Sequence, residues 1–184
     1  LLTHAFFVLA APGLTFDDYP DPSAMLELVA LLSASAGLDG MVEGQMMDMQ
    51  SFEKSPEDRL DHLKKIHRLK TGEMIIASVK AGAISAGAPD SQISPLERYG
   101  RKIGLAFQVK DDILNVEGDP GIMGKAAGSD LLNDKMTFPG IIGLSASKAY
   151  AQNLVQAALD SLKTFGDEAD PLRWIAEYIL DRDH

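Results

Sequence analysis

Apolar side chains recur every three or four positions along most of the chain, which is the spacing that lines one face of an α-helix. Four times the pattern is preceded by an aspartate or serine followed by proline, at Asp21-Pro22, Ser55-Pro56, Ser94-Pro95 and Asp170-Pro171. A polar cap followed by proline is typical of a helix start, because the N–H that proline lacks would be unpaired there anyway. No segment alternates apolar and polar residues as a strand does. The pattern therefore predicts an all-α fold.

Glycines interrupt the first two predicted helices. The helix that begins at Pro22 meets three glycines over positions 37–44, which predict a bend or a close approach of another element. The helix that begins at Pro56 continues its apolar stripe well beyond position 72, with Gly72 in its middle. We expect this second helix to break or loosen near residues 70–72.

The remaining predicted helices lie on either side of one long segment without periodicity. A third helix runs from Pro95 to about Glu117, and two more cover about 147–165 and 171–182. The intervening segment, 118–135, is rich in glycine, aspartate and lysine. A loop of this length in a compact domain is usually functional or disordered.

Length and composition predict one folded domain. The chain has 184 residues, of which 46% are apolar and 24% charged, a balance far from that of disordered chains. It has no cysteine, so a bound metal must be held by oxygen or imidazole, and a cytoplasmic location is expected. The formal net charge of -10 argues against nucleic acid as a partner. We identify no apolar run of about 20 residues that would predict a membrane anchor.

The strongest polar constellation lies near the end of the third predicted helix. Asp111 and Asp112 are adjacent there, and Gln108 and Asn115 lie one turn to either side, so all four could face one cavity. Adjacent carboxylates repel each other unless a cation lies between them, which makes a Mg²⁺ site a reasonable use. The alternative is an ordinary solvated helix end with Lys110 nearby.

A second polar group, Lys70 with Thr71, lies inside an otherwise apolar helix. A lysine in such a place is costly unless its amine reaches water or an anion. The group is therefore a candidate anion-binding site. The alternative is a lysine that extends its amine to solvent beside a capped helix break.

Two weaker groups complete the candidates. Lys125 and Lys135 lie in the glycine-rich segment, where lysines could close over a phosphate, although no Walker pattern is present. Gln45 and Asp48 lie one turn apart in a methionine-rich helix. We interpret them as a buried hydrogen-bonded pair rather than as catalytic residues.

Taken together and in this order, the groups resemble the C-terminal portion of the trans-isoprenyl diphosphate synthases, and most closely the bacterial farnesyl diphosphate synthases. The string Phe-Gln-Val-Lys-Asp-Asp-Ile-Leu at 107–114, followed at this distance by Gly-Lys at 124–125, is highly specific for that family. The resemblance extends over essentially the whole chain. The other matching segments are Gly44-Gln45 with Asp48, Lys70-Thr71-Gly72, Ser129-Asp130 and Lys135-Met136-Thr137-Phe138-Pro139.

The resemblance implies a bundle of long helices around a deep cavity and a homodimeric enzyme. Such enzymes join an allylic diphosphate, dimethylallyl or geranyl, to isopentenyl diphosphate, with Mg²⁺ as the cofactor and Mn²⁺ as an alternative. The allylic diphosphate leaves with the help of the metal, the isopentenyl double bond attacks the allylic cation, and a proton is lost. The physical need is that a departing diphosphate be neutralised and that the cation be kept from water.

The resemblance also assigns the metal ligands. Asp111 is expected to bind Mg²⁺ directly, and Asp112 to bind a Mg²⁺ ion or order a metal-bound water. The family motif usually ends in a third aspartate, whereas this chain has Asn115 there, a neutral ligand that adds no charge. We therefore expect a slightly weaker metal site.

The substrate contacts follow in the same way. Lys70 and Lys125 are expected to hold the allylic diphosphate, and Lys135 to order the loop over it. Thr71 and Gln108 are expected to stabilise the allylic cation through their oxygens, which can direct a dipole at positive charge.

One half of the expected metal cage is absent from the sequence. The family's first aspartate-rich motif is found nowhere in residues 1–184, and the chain opens without methionine. We therefore expect the C-terminal part of a single synthase domain, inactive in isolation. Product length stays open between farnesyl and geranylgeranyl or longer diphosphates, and a non-catalytic helical homologue or subunit is the third alternative.

Overall fold

A computed structural model of the chain describes residues 1–11, 21–50, 55–117 and 136–183, and in these ranges it contains helices and turns but no strand. The all-α prediction is confirmed. The elements in chain order are α1 (Leu2–Ala10), α2 (Pro22–Ala36), α3 (Met41–Asp48), α4 (Pro56–His67), a π-helical turn (Arg68–Gly72), α5 (Glu73–Ser85), α6 (Asp90–Glu117), α7 (Phe138–Ile142), α8 (Leu144–Ser161), a 3₁₀ turn (Asp167–Ala169) and α9 (Asp170–Asp181).

Two of the four predicted caps close helix starts through their side chains. The Asp21 carboxylate accepts the N–H of Ser23 at 2.8 Å, and the Ser55 hydroxyl accepts the N–H of Asp58 at 3.3 Å. These bonds satisfy N–H groups that the first turn of a helix leaves without an internal partner. The starts of α2 and α4 are therefore where the sequence placed them.

The predicted start at Pro95 is wrong, because α6 begins at Asp90 and Pro95 lies inside it. The first turn forms when the Pro89 carbonyl accepts the N–H of Ile93 at 3.1 Å. A proline five residues into a helix deprives only the Ser91 carbonyl of its i+4 donor, and Ser91 is exposed to water. The helix therefore tolerates the ring near its start.

The two glycine interruptions are confirmed. The first predicted helix divides at 37–40 into α2 and α3. The second loosens into the π-helical turn, in which the N–H of Glu73 bonds the carbonyl of Arg68 five residues earlier. π-Helical turns are rare and occur frequently at functional sites. This turn, called the π-turn below, carries Lys70 and Thr71.

Helix α6 forms the centre of the bundle and packs chiefly against α5 and α8. It makes a close contact through glycine, since a Cβ at Gly104 would lie 3.0 Å from the Cα of Gly72. A large core surrounds the helix, and a second, smaller cluster of Met47, Ile66 and Leu69 includes the buried leucine of the π-turn. The most deeply buried members of the large core include Tyr99, Ala106, Val109, Phe138, Ala158, Leu162 and Ala176.

The helical segment Pro22–Asp48 corrects the expectation that no apolar run is long enough to span a bilayer. A stretch of 18 of its 27 residues has a mean hydropathy of 1.5, and no other helix in the described part of the chain meets the same test. The test concerns length and composition alone, and core helices of soluble proteins also pass it. Here α2 packs along α5.

Candidate active site

Asp111 lies near the end of α6 and is paired with an arginine. Its Oδ1 accepts a hydrogen bond from Nη2 of Arg182, and its Oδ2 lies 3.4 Å from Nε2 of Gln108. Burial raises the pKa of Asp111 above its ordinary value, and the Arg182 guanidinium opposes that rise. The side chain keeps 42% of its surface exposed, so its carboxylate remains accessible to a cation.

Arg182 follows α9 directly and is held by more than its charge. Nη2 also donates to the Phe107 carbonyl at 3.1 Å, and the guanidinium lies over the Phe107 ring, 4.3 Å from its centroid. Its side chain is only 9% exposed. The C-terminal end of α9 is therefore fixed to the face of α6 that carries Asp111.

Asp112 points elsewhere and is buried. Its Oδ2 accepts the backbone N–H of Phe138 at 2.9 Å and lies 3.3 Å from Nε2 of His67. The prediction that Asp111, Asp112 and their neighbours one turn away all face one open cavity is wrong, because Asp112 and Asn115 are 8% and 9% exposed. Adjacent residues on an α-helix point about 100° apart, so their carboxylates diverge.

The π-turn places Lys70 beside a second acid. Nζ of Lys70 lies 2.7 Å from Oδ2 of Asp48 on α3, so the amine reaches an anion, as its position in an apolar helix required. Gln45 is exposed, which corrects its interpretation as the buried partner of Asp48. A cavity of about 420 Å³ opens beside the turn and is lined by Met41, Val42, Gln45, Met46, Lys70 and Thr71.

Helix α3 touches the backbone of the π-turn at a glycine. A Cβ at Gly44 would lie 2.6 Å from the Cα of Lys70, and closer still to the Lys70 nitrogen. Real Cβ atoms essentially never approach a neighbour within 3.0 Å. The absence of a side chain at Gly44 is therefore what lets α3 bring Asp48 to Lys70.

The structure thus describes two parts of the predicted site, Lys70 with Thr71 on the π-turn and Gln108 with Asp111 on α6. His67, the last residue before the π-turn, links the two through its contact with Asp112. The predicted phosphate contacts Lys125 and Lys135 lie outside the described residues.

The sequence reasoning missed three residues that the structure places beside these groups. Asp48 was paired with Gln45 rather than with Lys70, and neither His67 nor Arg182 was among the candidate site residues. The position of His67, three residues before Lys70, was the feature of the sequence that could have identified it. Nothing in the local sequence pairs Arg182 with Asp111.

Comparison with known proteins identifies the family. Residues 2–175 match the family described as polyprenyl synthetase. The chain belongs to this family. The farnesyl diphosphate synthase of Micrococcus luteus is 43% identical over 157 residues, which are 85% of this chain and 53% of that protein. The large subunit 1 of the heterodimeric geranylgeranyl pyrophosphate synthase of Arabidopsis thaliana chloroplasts is 40% identical over 184 residues, covering 99% of this chain and 49% of that protein.

A solved structure agrees with the fold of this polyprenyl synthetase. The geranyltransferase of Helicobacter pylori, complexed with magnesium and isoprenyl diphosphate, superposes with a TM-score of 0.73 at 30% identity. The superposition covers 97% of this chain and 56% of that one. The chain therefore spans about half the length of the relatives it matches.

The donor set fits magnesium in part. Mg²⁺ prefers oxygen ligands and usually keeps several waters, so one or two carboxylates together with substrate phosphates suffice to hold it. The accessible carboxylate of Asp111 meets that need. Across the described ranges, no three histidine, aspartate or glutamate side chains cluster closely enough to hold a metal by themselves.

Proposed function

We propose that the chain is the C-terminal part of a single synthase domain that joins dimethylallyl or geranyl diphosphate to isopentenyl diphosphate and yields farnesyl diphosphate. The observation that carries the proposal is the presence of an amine on the π-turn and of an accessible carboxylate on α6, the central helix against which that turn packs. Lys70 and Asp111 supply these two groups, one for a phosphate and one for a metal. The relatives named farnesyl diphosphate synthase support the product.

Lys70 binds the allylic diphosphate through its ammonium group. In the ligand-free protein Asp48 neutralises this amine at 2.7 Å, and both side chains are about one-third exposed. A diphosphate carries more charge than one carboxylate and offers several acceptors, so it competes effectively for the same amine. Lys125 and Lys135 add further positive charge in this proposal.

Thr71 and Gln108 face the reacting end of the substrate. Each has a side-chain oxygen whose partial negative charge stabilises the allylic cation that forms as diphosphate leaves. Gln108 is held near Asp111 by its amide, so its position is linked to that of the carboxylate. The apolar side chains Met41 and Met46, which line the adjoining cavity, keep water away from the cation.

Asp111 holds magnesium in this proposal, with Mn²⁺ as a possible substitute. The bound ion supplies charge neutralisation for the departing diphosphate. Arg182 already contacts Oδ1 of this carboxylate, so its positive charge competes with the ion for Asp111. Arg182 then remains beside the site, held by Phe107.

Three further features belong to the proposal. The enzyme works as a homodimer in the cytoplasm, and neither nucleic acid nor a membrane anchor takes part. A geranylgeranyl product is the second candidate, supported by the Arabidopsis relative. The first aspartate-rich motif of the family lies outside this chain, so the isolated 184 residues should lack turnover.

The test supplies the full-length protein with Mg²⁺, isopentenyl diphosphate and either dimethylallyl or geranyl diphosphate, and identifies the products by mass spectrometry. We expect farnesyl diphosphate from both substrates, and a loss of about 100-fold or more in rate for Asp111→Asn or Lys70→Gln. Asp61→Asn, on the exposed face of α4, should keep the wild-type rate. Absence of any prenyl product would refute the proposal, and a C20 product would replace farnesyl by geranylgeranyl.

A further inference from the structure

Asp112 connects three separate elements through one carboxylate oxygen. Oδ2 accepts the N–H of Phe138 at the start of α7 and contacts Nε2 of His67 at the end of α4, while Asp112 itself lies on α6. The His67 ring also stacks on the Phe138 ring, with centroids 5.8 Å apart. All three residues are less than 10% exposed. The contact is therefore a buried junction and not a surface ion pair.

A buried carboxylate is retained only with partners that replace its water, and these two donors do so. A carboxylate oxygen can only accept, so the His67 nitrogen must be the donor. Removing either donor leaves a buried oxygen with an unsatisfied lone pair. The junction is thus specific in geometry, because both donors converge on the same atom.

The junction lies directly before the π-turn. His67 is the last α-helical residue, and Lys70 and Thr71 follow three and four positions later. A π-turn is rare and occurs mostly as a single turn within an α-helix, so the contacts around it bear on whether it persists. Gly44 and Gly104 allow backbone contacts to the turn from two other sides, and His67 adds a polar contact at its entrance.

Asp111 and Asp112 differ in how exposed their carboxylates are and in the contacts they make. Asp111 keeps 42% of its side chain exposed, whereas the side chain of Asp112 keeps 11% and has two donors on one oxygen. Both donors of Asp112 converge on Oδ2 and its side chain is nearly closed to solvent, so a metal ion that used this carboxylate would have to enter the packed interior. The exposed carboxylate is available without such a rearrangement.

We propose that Asp112 and His67 are positioning residues, which hold the π-turn carrying Lys70 and Thr71 in register with the face of α6 carrying Asp111, and that Asp112 is not a magnesium ligand. The proposal rests on the proposed function and replaces the metal role expected for Asp112. Misplacing a substrate-binding group by about 1 Å can cost about 100-fold in rate, so such a junction affects turnover without touching the substrate.

The test compares His67→Leu, His67→Gln, Asp112→Asn and Asp111→Asn in the full-length protein, with Asp61→Asn as a control for the loss of an aspartate charge. We expect His67→Leu to lower kcat by about tenfold or more, and His67→Gln, whose amide can still donate, to stay within about threefold of wild type. Asp112→Asn should lower kcat, and combining it with His67→Leu should add little further loss.

Magnesium binding is then measured by calorimetry in the presence of inorganic diphosphate. We expect Asp112→Asn and both His67 variants to bind Mg²⁺ within about threefold of wild type, and Asp111→Asn to bind it more than about tenfold more weakly. Equal weakening by Asp112→Asn and Asp111→Asn would overturn the proposal. An unchanged kcat in His67→Leu would also overturn it.

Amide hydrogen exchange separates this proposal from the proposed function. In the ligand-free protein, exchange at residues 68–73 should be faster in His67→Leu than in His67→Gln. Should the wild-type protein make no prenyl product, the proposed function fails while this measurement still decides whether the junction holds the turn. Equal exchange in the two variants would refute the positioning role. If His67→Leu does not fold, His67→Gln and Asp112→Asn provide the test of the positioning role instead.

Discussion

Replacing Gly44 with alanine should disturb the site by forcing α3 away from the π-turn. A Cβ there would lie 2.6 Å from the Cα of Lys70, and an ordinary contact needs at least 3.4 Å, so α3 and the π-turn must separate by about 0.8 Å or more. The atoms it meets are backbone and cannot rotate away. Overpacking of this kind costs about 1–3 kcal/mol, against a gain of about 0.5–1 kcal/mol for removing a helical glycine.

Gly82 provides the matched control. It lies in α5, is exposed, and a Cβ there would meet nothing within 4 Å. Gly82→Ala should therefore stabilise the protein by about 0.5–1 kcal/mol, whereas Gly44→Ala should destabilise it by about 1–2 kcal/mol. Urea unfolding followed by circular dichroism measures both free energies.

The two substitutions should also differ in turnover. Separation of α3 from the π-turn moves Asp48 relative to Lys70, and a displacement of this size can lower kcat by about tenfold or more. Gly82→Ala should leave kcat unchanged. A Gly44→Ala protein as stable and as active as Gly82→Ala would show that neither stability nor turnover needs the close packing of α3 on the turn.

Two further substitutions test the ends of α9. Tyr99→Phe removes a hydroxyl that donates to the Leu172 carbonyl at 2.7 Å, and should cost about 1 kcal/mol at pH 8 in urea unfolding. Burial raises the pKa of Tyr99 to about 12, so the native state keeps a proton that the unfolded chain loses above about pH 10. The contribution of the Tyr99 hydroxyl to the free energy of unfolding is therefore complete below pH 10 and is lost as the pH rises towards 12. Across that range the free energy of unfolding should fall by about 2–3 kcal/mol more in wild type than in Tyr99→Phe, and equal falls would contradict the raised pKa of Tyr99. Arg182→Gln should tighten Mg²⁺ binding, measured by calorimetry with inorganic diphosphate, by about two- to fivefold because the arginine competes for Asp111. Arg101→Gln, an exposed arginine earlier on α6, should have no effect, and weaker binding in Arg182→Gln would show that the arginine supports the site.

The helices could be predicted from the sequence because the residues that cap their starts lie within a few positions of the turns they close. Asp21 and Ser55 cap helices through hydrogen bonds to residues two and three positions away, which a reader of the sequence can foresee. The start of α6 could not be predicted in this way. Ser94-Pro95 resembles a cap, yet the helix extends upstream to Asp90 because its first turn closes on the Pro89 carbonyl and the helix tolerates one missing bond at Pro95.

The site could be predicted only as far as its residue types and order. Lys70 with Thr71, and Gln108 with Asp111, are recognisable from their strings. The contacts that hold them are long-range, since His67 and Asp112 are 45 residues apart and Arg182 and Asp111 are 71 apart. Such pairs depend on how α4, α6 and α9 pack against one another, and no single segment of the sequence predicts that packing.

Burial also changes the meaning of Asn115, the position where this chain departs from the family motif. As a presumed third ligand, a neutral asparagine weakens the metal site. In the structure Asn115 is 9% exposed and lies one turn beyond Asp111, on the inner side of α6. A carboxylate there would have to be desolvated, which is costly without a dedicated partner, whereas an amide is tolerated more readily. The departure therefore keeps a charge out of the core and leaves the accessible carboxylate of Asp111 intact, so the motif divides into one exposed acid, the proposed metal ligand, and buried polar residues behind it.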